Sequence, residues 1–382
     1  MDVVIAAGGA VWEEVAIREI EASAALRLVR RCVDVADLLA AAQVARAGAA
    51  IVSVDLAGLD VDAVSQLEQA GVAVVAVEAE DTRREALGIR RIGRIGRLDD
   101  IALQTVARSA ASVIRRAPVV AVWGPEGAPG RSTVALGLAS AAAARGVDTV
   151  LVDADTHGGA LGQMLGVLDD VSGLVAACRA VNNGRPAEVL DHVLEVDPGL
   201  RLLTGLPRAD MWSQVRPSAF EGVLRQVSDS SDLVVVDIGA SLEPGAGPGP
   251  SRQQTAVQVV TSADLTVVVG RPDPVGLARL VRGVQDLSTV VPGGSPVVVI
   301  NMMRSTLGWS ERDVRSTVAR LTGIEPVVHL PFDQSGLDLA AVSGRTAREA
   351  APSSPFVARV EVLASHVLAT VISPDAVLAS RR

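Results

Sequence analysis

The sequence predicts an α/β protein built from two parallel-sheet modules, the second opening on a phosphate-binding loop. Three observations carry this. Short runs rich in Val, Ile and Ala alternate with helical patterns along most of the chain, and strand–helix alternation with right-handed crossovers implies a parallel sheet. One junction, residues 119–139, reads VVAVWGPEGAPGRSTVALGLA: an apolar run, a Gly/Pro-rich turn, then an Ala/Leu-rich helix, the layout of a phosphate loop between strand and helix. Later apolar runs end in Asp or Asn, where open parallel sheets gather their ligands.

Composition bounds the answer. At 382 residues the chain is long enough for two or more domains at about 150 residues each. It is 49% hydrophobic but 2% aromatic, so the core is built from Ala, Val and Leu. No apolar stretch approaches the roughly 18 residues of a spanning helix, and MDVVIAAGGAVWEEV lacks the cationic start of a secretory signal. Cys32 and Cys178 lie far apart in apolar helical patterns and read as reduced, buried thiols of a cytoplasmic protein. The net charge of −9 disfavours a nucleic-acid partner. All 35 basic residues are Arg, with no Lys anywhere.

In the first module, residues 2–7, 27–33, 50–55 and 72–77 read as buried strands, and 11–22, 36–47 and 61–70 as helices. This resembles the topology of a response-regulator receiver domain, with Asp55 at the end of the third strand. Receiver chemistry uses an acidic pair after the first strand and a Lys after the fifth. Here the first place reads AAGGA and the chain has no Lys, so Asp55 reads as a turn-capping residue. The basic stretch 82–97, TRREALGIRRIGRIGR, reads as a solvated linker or, alternatively, a docking patch.

From Pro118 the alternation resumes, with strands at 119–123, 148–153, 201–204, 233–238, 265–270, 296–301 and 327–330. The stretch 244–254, PGAGPGPSRQQ, reads as a mobile loop. Asp153 and Asp155 end one strand, Asp237 another and Asn301 a third, so they share the loop's crevice. In the loop, Pro125 holds the first Gly position of the usual motif and Arg131 the Lys position. The two prolines, Pro125 and Pro129, each remove an N–H from the anion nest. Gly127, Ala128, Gly130, Arg131, Ser132 and Thr133 still donate, and the helix N-terminus favours an anion. Arg131 keeps the charge and can grip phosphate with two N–H groups. Ser132, Asp153 and Asp237 suit Mg²⁺, a hard ion that takes hydroxyl, carboxylate and water oxygens. Asp155 is placed to orient an attacking water, and with Arg131 forms the catalytic pair.

With these segments in order, roughly residues 118–370 resemble the MinD/ParA family of deviant P-loop ATPases. The match runs from Glu126–Ser132 in the loop through Asp153-Ala154-Asp155 to Leu165-Gly166, then LVVVDIGAS and SADLTVVVGRPDPVGLARLVRGVQDL. It closes with Asn301, HLPFD (329–333) and AAVSGR (340–345). The resemblance implies ATP and Mg²⁺ as cofactors, with Asn301, Pro331 and Asp333 bordering the base. A receiver-like module ahead of such an ATPase is similar to the CpaE/TadZ subfamily and to actinobacterial septum-site-determining homologues. This implies residues 1–100 as a degenerate receiver-like domain, 101–117 as a linker helix, 118–372 as the ATPase domain and 373–382 as a tail. It also implies protein partners in a division or pilus apparatus, compatibility with a homodimer, and membrane association that is at most peripheral. The family's signature Lys falls at Glu126, which repels a triphosphate. The rival reading, favoured by Glu126 and the two prolines, is a non-hydrolysing scaffold that binds nucleotide weakly or not at all. If the loop still grips phosphate, Glu126 is expected to pair with Arg131, the loop's one cation, until ATP displaces it. A ParA-like DNA binder would need a basic surface that the charge balance disfavours. The last helix, 355–372, has an apolar face, but only Arg381 and Arg382 follow as cations. The four His show no metal-ligand spacing, and the four Trp are dispersed and read as packing.

Overall fold

The computed structural model describes residues 1–45, 47–102, 116–127, 129–167, 171–243 and 251–372. The chain divides into two compact units, Met1–Ile114 and Arg115–Arg382. The expected linker helix at 101–117 lies mostly outside the described residues, as do the tail and Ala128. Ile101 is buried in the core of the first unit.

The first unit is a five-stranded parallel sheet of β1 (Asp2–Ala6), β2 (Arg27–Arg31), β3 (Ala49–Val52), β4 (Ala73–Val77) and β5 (Arg91–Gly93). The order β2-β1-β3-β4-β5 is that of flavodoxin-like sheets. β3 and β4 are buried at every residue, as expected where both faces of a parallel sheet are covered. One apolar cluster forms around Leu38 and Leu67, and another around Ile20 and Leu98.

The basic stretch 82–97 is not a linker but part of the first unit. It supplies the helix Asp81–Ala86 and the edge strand β5, parallel to β4. Ile89 and Leu98 point inward, and a Cβ on Gly93 would lie 2.9 Å from Val77. The arginines are held locally: Arg84 donates to the Ile89 carbonyl at 2.7 Å, and Arg91 lies 3.3 Å from Glu68. A short, Arg-rich edge strand also resists pairing with other chains, and its charge is what hid it in the sequence.

β3 stops at Val52, so Asp55 stands in the following turn, 75% exposed at its side chain and 3.2 Å from the Arg83 guanidinium. The capping expected of Asp55 is done by Asp60, which accepts from Ala63 N at 2.9 Å. Acetyl phosphate should leave Asp55 unmodified, because Ala7, Gly8 and Gly9 follow β1 where receiver chemistry needs acids. A hydroxylamine-labile phosphoryl group that disappears in Asp55→Asn would contradict this.

The second unit is an eight-stranded sheet of β6 (Val119–Trp123), β7 (Thr149–Ala154), β8 (Leu194–Asp197), β9 (Leu200–Leu203), β10 (Leu233–Ile238), β11 (Leu265–Gly270), β12 (Val297–Met303) and β13 (Val328–Pro331). The order is β13-β12-β11-β6-β10-β7-β9-β8. All pairs are parallel except β8 with β9. Helices Arg131–Ala143 and Pro355–Val371 pack on one face of the sheet, around Leu138, Phe356 and Leu363. Helices Gly173–Asn182, Pro217–Asp229, Gln254–Ser262 and Pro274–Val290 pack on the other, around Phe220, Val259 and Leu280. The apolar face of Pro355–Val371 is therefore core, with Phe356, Val360, Leu363, Ala364 and Val367 buried. Of the expected loop 244–254, residues 244–250 lie outside the described residues, and Gln254 already begins a helix.

Candidate functional site

The sheet opens its crevice between β6 and β10. These strands are neighbours, yet β6 leads into Arg131–Ala143 on one face and β10 into Gln254–Ser262 on the other. Diverging connections of this kind leave a cleft at the carboxyl ends of the strands, the usual ligand site of an open α/β sheet.

Asp153 and Asp237 meet at that cleft. They are register partners on β7 and β10. Strand alternation turns both toward the face of helix Arg131–Ala143, since Leu151 and Val235 on the same sides pack there. Each is 1% exposed. Asp153 accepts from Asp155 N at 3.3 Å and Leu161 N at 3.0 Å. Gly159 and Gly205 make room for it, because a Cβ on either would come within 2.9 Å of its carboxyl group. Among the described residues neither oxygen of Asp237 has a hydrogen-bond partner of good geometry. Leaving a buried acceptor unsatisfied costs about 1–3 kcal/mol, and more for a charged one.

Burial, the largest cause, raises the pKa of Asp153 to about 6, and the charge of Asp155 adds to it. Burial and the neighbouring Asp153 raise Asp237 well above the usual carboxylate range, while the nearby Ser132 hydroxyl and Arg131 guanidinium pull it down again. Asp155 is 7% exposed. Its Oδ1 accepts from His157 N at 2.8 Å and Gly158 N at 3.3 Å, and its Oδ2 faces Arg131 Nη2 at 3.4 Å. His157, not singled out in the sequence, brings Nδ1 to 3.8 Å from Asp155. Among the described residues no three His, Cys, Asp or Glu side chains converge to hold a metal ion by themselves.

The loop is shaped by its glycines. Gly130 has φ +85° and caps helix Arg131–Ala143, and Gly127 has φ +109°, conformations that glycine adopts without steric cost. Arg131 does not pair with Glu126, which is exposed. Its guanidinium instead donates to Ile238 O at 3.1 Å and Gly124 O at 3.3 Å as well as facing Asp155. Being long and planar, it spans from the loop to β10. Ser132 and Thr133 follow on the first helical turn, half-buried.

Asn301 is 4% exposed, and its amide donates to Pro129 O at 2.8 Å. It reaches the loop because β12 is irregular there: the register with β13 shifts between Ile300 and Met303, and Met302 has φ +60°. Such bulges re-aim side chains beside functional sites. Gly130 is required here as well, since its Cβ would lie 2.4 Å from the Asn301 amide nitrogen. Pro331 ends β13 opposite Met303. The Asp333 carboxylate is a fastener: it accepts from Gly336 N at 3.1 Å and Ser335 Oγ at 3.2 Å, and from the Ser354 hydroxyl. Ser354 in turn caps Pro355–Val371, and its hydrogen bond is the main cause holding Asp333 below the usual carboxylate range.

No family model matches the chain, and no curated protein sequence matches it. Solved structures do. The ParA family ATPase of Chlorobium tepidum superposes with TM-score 0.56 at 18% identity, over 65% of this chain and 99% of its own. The cell division ATPase MinD of Pyrococcus furiosus gives 0.53 at 20%, over 65% and 98%. The septum site-determining protein MinD of Pyrococcus horikoshii, complexed with Mg-ADP, gives 0.53 at 19%, over 66% and 96%. The fold is that of the MinD and ParA ATPases. At these identities the likeness is one of fold, and the first unit's sheet is an additional parallel module beside the MinD/ParA fold.

The raised acidities carry a sign. A carboxyl whose folded pKa exceeds its unfolded value makes the ionised folded state less stable, so stability falls as pH rises. For Asp153 this happens between its ordinary 3.8 and about 6. Asp237→Asn should therefore raise the melting temperature measured without nucleotide at pH 7. The gain should shrink toward acid pH. A lower melting temperature at neutral pH would show that the charge of Asp237 is already compensated.

Proposed function

We propose that the chain binds ATP with Mg²⁺ and acts as a MinD/ParA-type regulator, a slow ATPase in the spatial control of the septum site or the envelope machinery. The observation that supports this best is Asp237: a carboxylate buried in the crevice beside Ser132 and Asp153, whose oxygens have no hydrogen-bond partner of good geometry among the described residues. Its donor set suits a hard divalent ion in a way it does not suit an empty apolar core. In this reading Ser132 binds the ion, and Asp153 and Asp237 hold its waters. The ion would neutralise charge on the phosphates during transfer. The N–H groups of Gly127, Gly130, Arg131, Ser132 and Thr133 cradle the phosphate chain. Arg131 exchanges its carbonyl and Asp155 contacts for phosphate oxygens, which frees Asp155 to orient a water. Asn301 holds the loop in shape through Pro129, and Pro331 borders the base.

Glu126 makes turnover slow without a partner, since it places a negative charge where a triphosphate must approach. Partners are expected among proteins of the division or pilus apparatus, with a homodimer compatible with the fold. Among the described residues no helix is long and apolar enough to cross a membrane, and membrane association would be peripheral at most. A second reading, a CpaE/TadZ-like scaffold that binds nucleotide weakly or not at all and does not hydrolyse it, is favoured by the three internal contacts of Arg131.

Thermal shift separates the two. Under the first reading the melting temperature climbs with ATP-Mg²⁺ concentration by mass action, and no shift at millimolar ligand would contradict it. Arg131→Ala should weaken ATP binding by about one to two orders of magnitude, since a hydrogen bond to a charged group contributes roughly 1.5–3 kcal/mol. If the variant binds ATP as well as the parent, the loop is a structural relic and the scaffold reading stands.

A further inference from the structure

The loop of residues 125–133 holds one acid, Glu126, and one base, Arg131, and Arg131 already faces Asp155. The loop therefore contributes no net positive charge. Two further arginines stand against its outer edge. Arg271 follows β11, the neighbour of β6, and Arg279 lies on the helix Pro274–Val290. Arg279 Nη1 donates to the Glu126 carbonyl at 3.3 Å, and Arg271 Nη1 to the Gly127 carbonyl at 3.4 Å. The fit is close, since a Cβ on Gly127 would lie 2.1 Å from Arg279 Nη1. A cavity of about 90 Å³ opens between the loop and these two side chains. The acids facing it are Glu126 and Asp273. Asp273 caps the helix through Gly276 N and lies 3.0 Å from Arg271 Nε. Arg279 forms no ion pair among the described residues, so its charge is uncompensated at close range.

We propose that Arg271 and Arg279 are a same-chain cationic brace for the phosphate chain of a bound nucleoside triphosphate. The inference rests on the nucleotide-binding reading above. The physical case has two parts. In a trans peptide the C=O and N–H point in opposite directions, so a guanidinium holding the Glu126 carbonyl outward aims the Gly127 N–H toward the loop interior. Hydrogen bonds in series polarise one another, so the same contact makes that N–H a better donor. In addition, two guanidinium charges at the rim raise the local potential for an anion, offsetting Glu126 and Asp273. The two arginines are positioning residues, acting through the loop and through their field.

The test is titration of the full chain with AMP, ADP and ATP at fixed Mg²⁺, for the parent, the Arg271→Gln/Arg279→Gln double variant and Arg279→Lys. A contribution from charge grows with the number of phosphates. The double variant should lose at least about tenfold in ATP affinity, the scale of a hydrogen bond to a charged group, less for ADP and little for AMP. Its salt dependence should also be shallower, because fewer charges are screened. Arg279→Lys should retain most of the ATP affinity. An equal loss for all three nucleotides, whether or not the variant melts earlier, overturns the brace and leaves a merely structural contact. No loss overturns it too. In both cases the parent still binds ATP, so the nucleotide-binding reading survives. If the parent binds none of the three, that reading falls and the brace with it.

Discussion

Asp153 and Asp237 lie side by side on adjacent parallel strands, almost wholly out of water, and much of the surrounding architecture is a response to that pair. An ionised carboxylate in an apolar interior is costly unless it is paired or hydrogen-bonded. For Asp153 the chain supplies two backbone N–H groups and two glycines that leave space. For Asp237 the described residues supply only the nearby Ser132 hydroxyl and the charge of Arg131, with no hydrogen bond of good geometry. Yet the strand that carries it, LVVVDI, is buried at every residue. Holding a charge there selects for a neighbouring cation, and the N-terminus of helix Arg131–Ala143 adds its own positive end to the same spot.

Around this pair the ligand-free loop is latched. Arg131 ties the loop to β10 and to Asp155, and Asn301 props it from β12. The latch keeps the loop shaped, and in the proposed reading it also occupies groups that a nucleotide would use. Any ligand must compete with an ion pair whose side chains are 17% and 9% exposed, which is screened less than a surface pair. Under the proposed function, affinity would thus be set by an exchange of partners for Arg131 rather than by new contacts alone.

The strands of the second unit and the strand-end acids were legible in the sequence because buried parallel strands read as unbroken apolar runs and Asp153 and Asp237 interrupt them at the end. What escaped was hidden by local composition. β5 was masked by its arginines, although Gly93 leaves room for Val75, Val77 and Leu98 on one face. β8 was missed because LEVD alternates weakly, though Pro198-Gly199 between β8 and β9 is a turn signal. The amide of Asn301 turning onto Pro129 depends on the left-handed Met302, which no motif announces. Arg271 and Arg279 look like ordinary surface charges until β11 is paired with β6 and the helix that follows is set against the loop. The expected Glu126–Arg131 pair failed on reach, since the Arg131 guanidinium is turned inward to Ile238 O.

The proposed function makes the buried carboxyl pair a cation site, so that binding an ion there should drive a proton off Asp153. Calorimetry of Mg²⁺-ATP binding in buffers of different ionisation heat measures the protons released. The account predicts net release near pH 6, where Asp153 titrates, and an affinity that rises with pH as Asp153 ionises. Both effects should vanish in Asp153→Asn/Asp237→Asn. Binding with no proton release beyond that of the double variant, and with the same pH dependence, would contradict it.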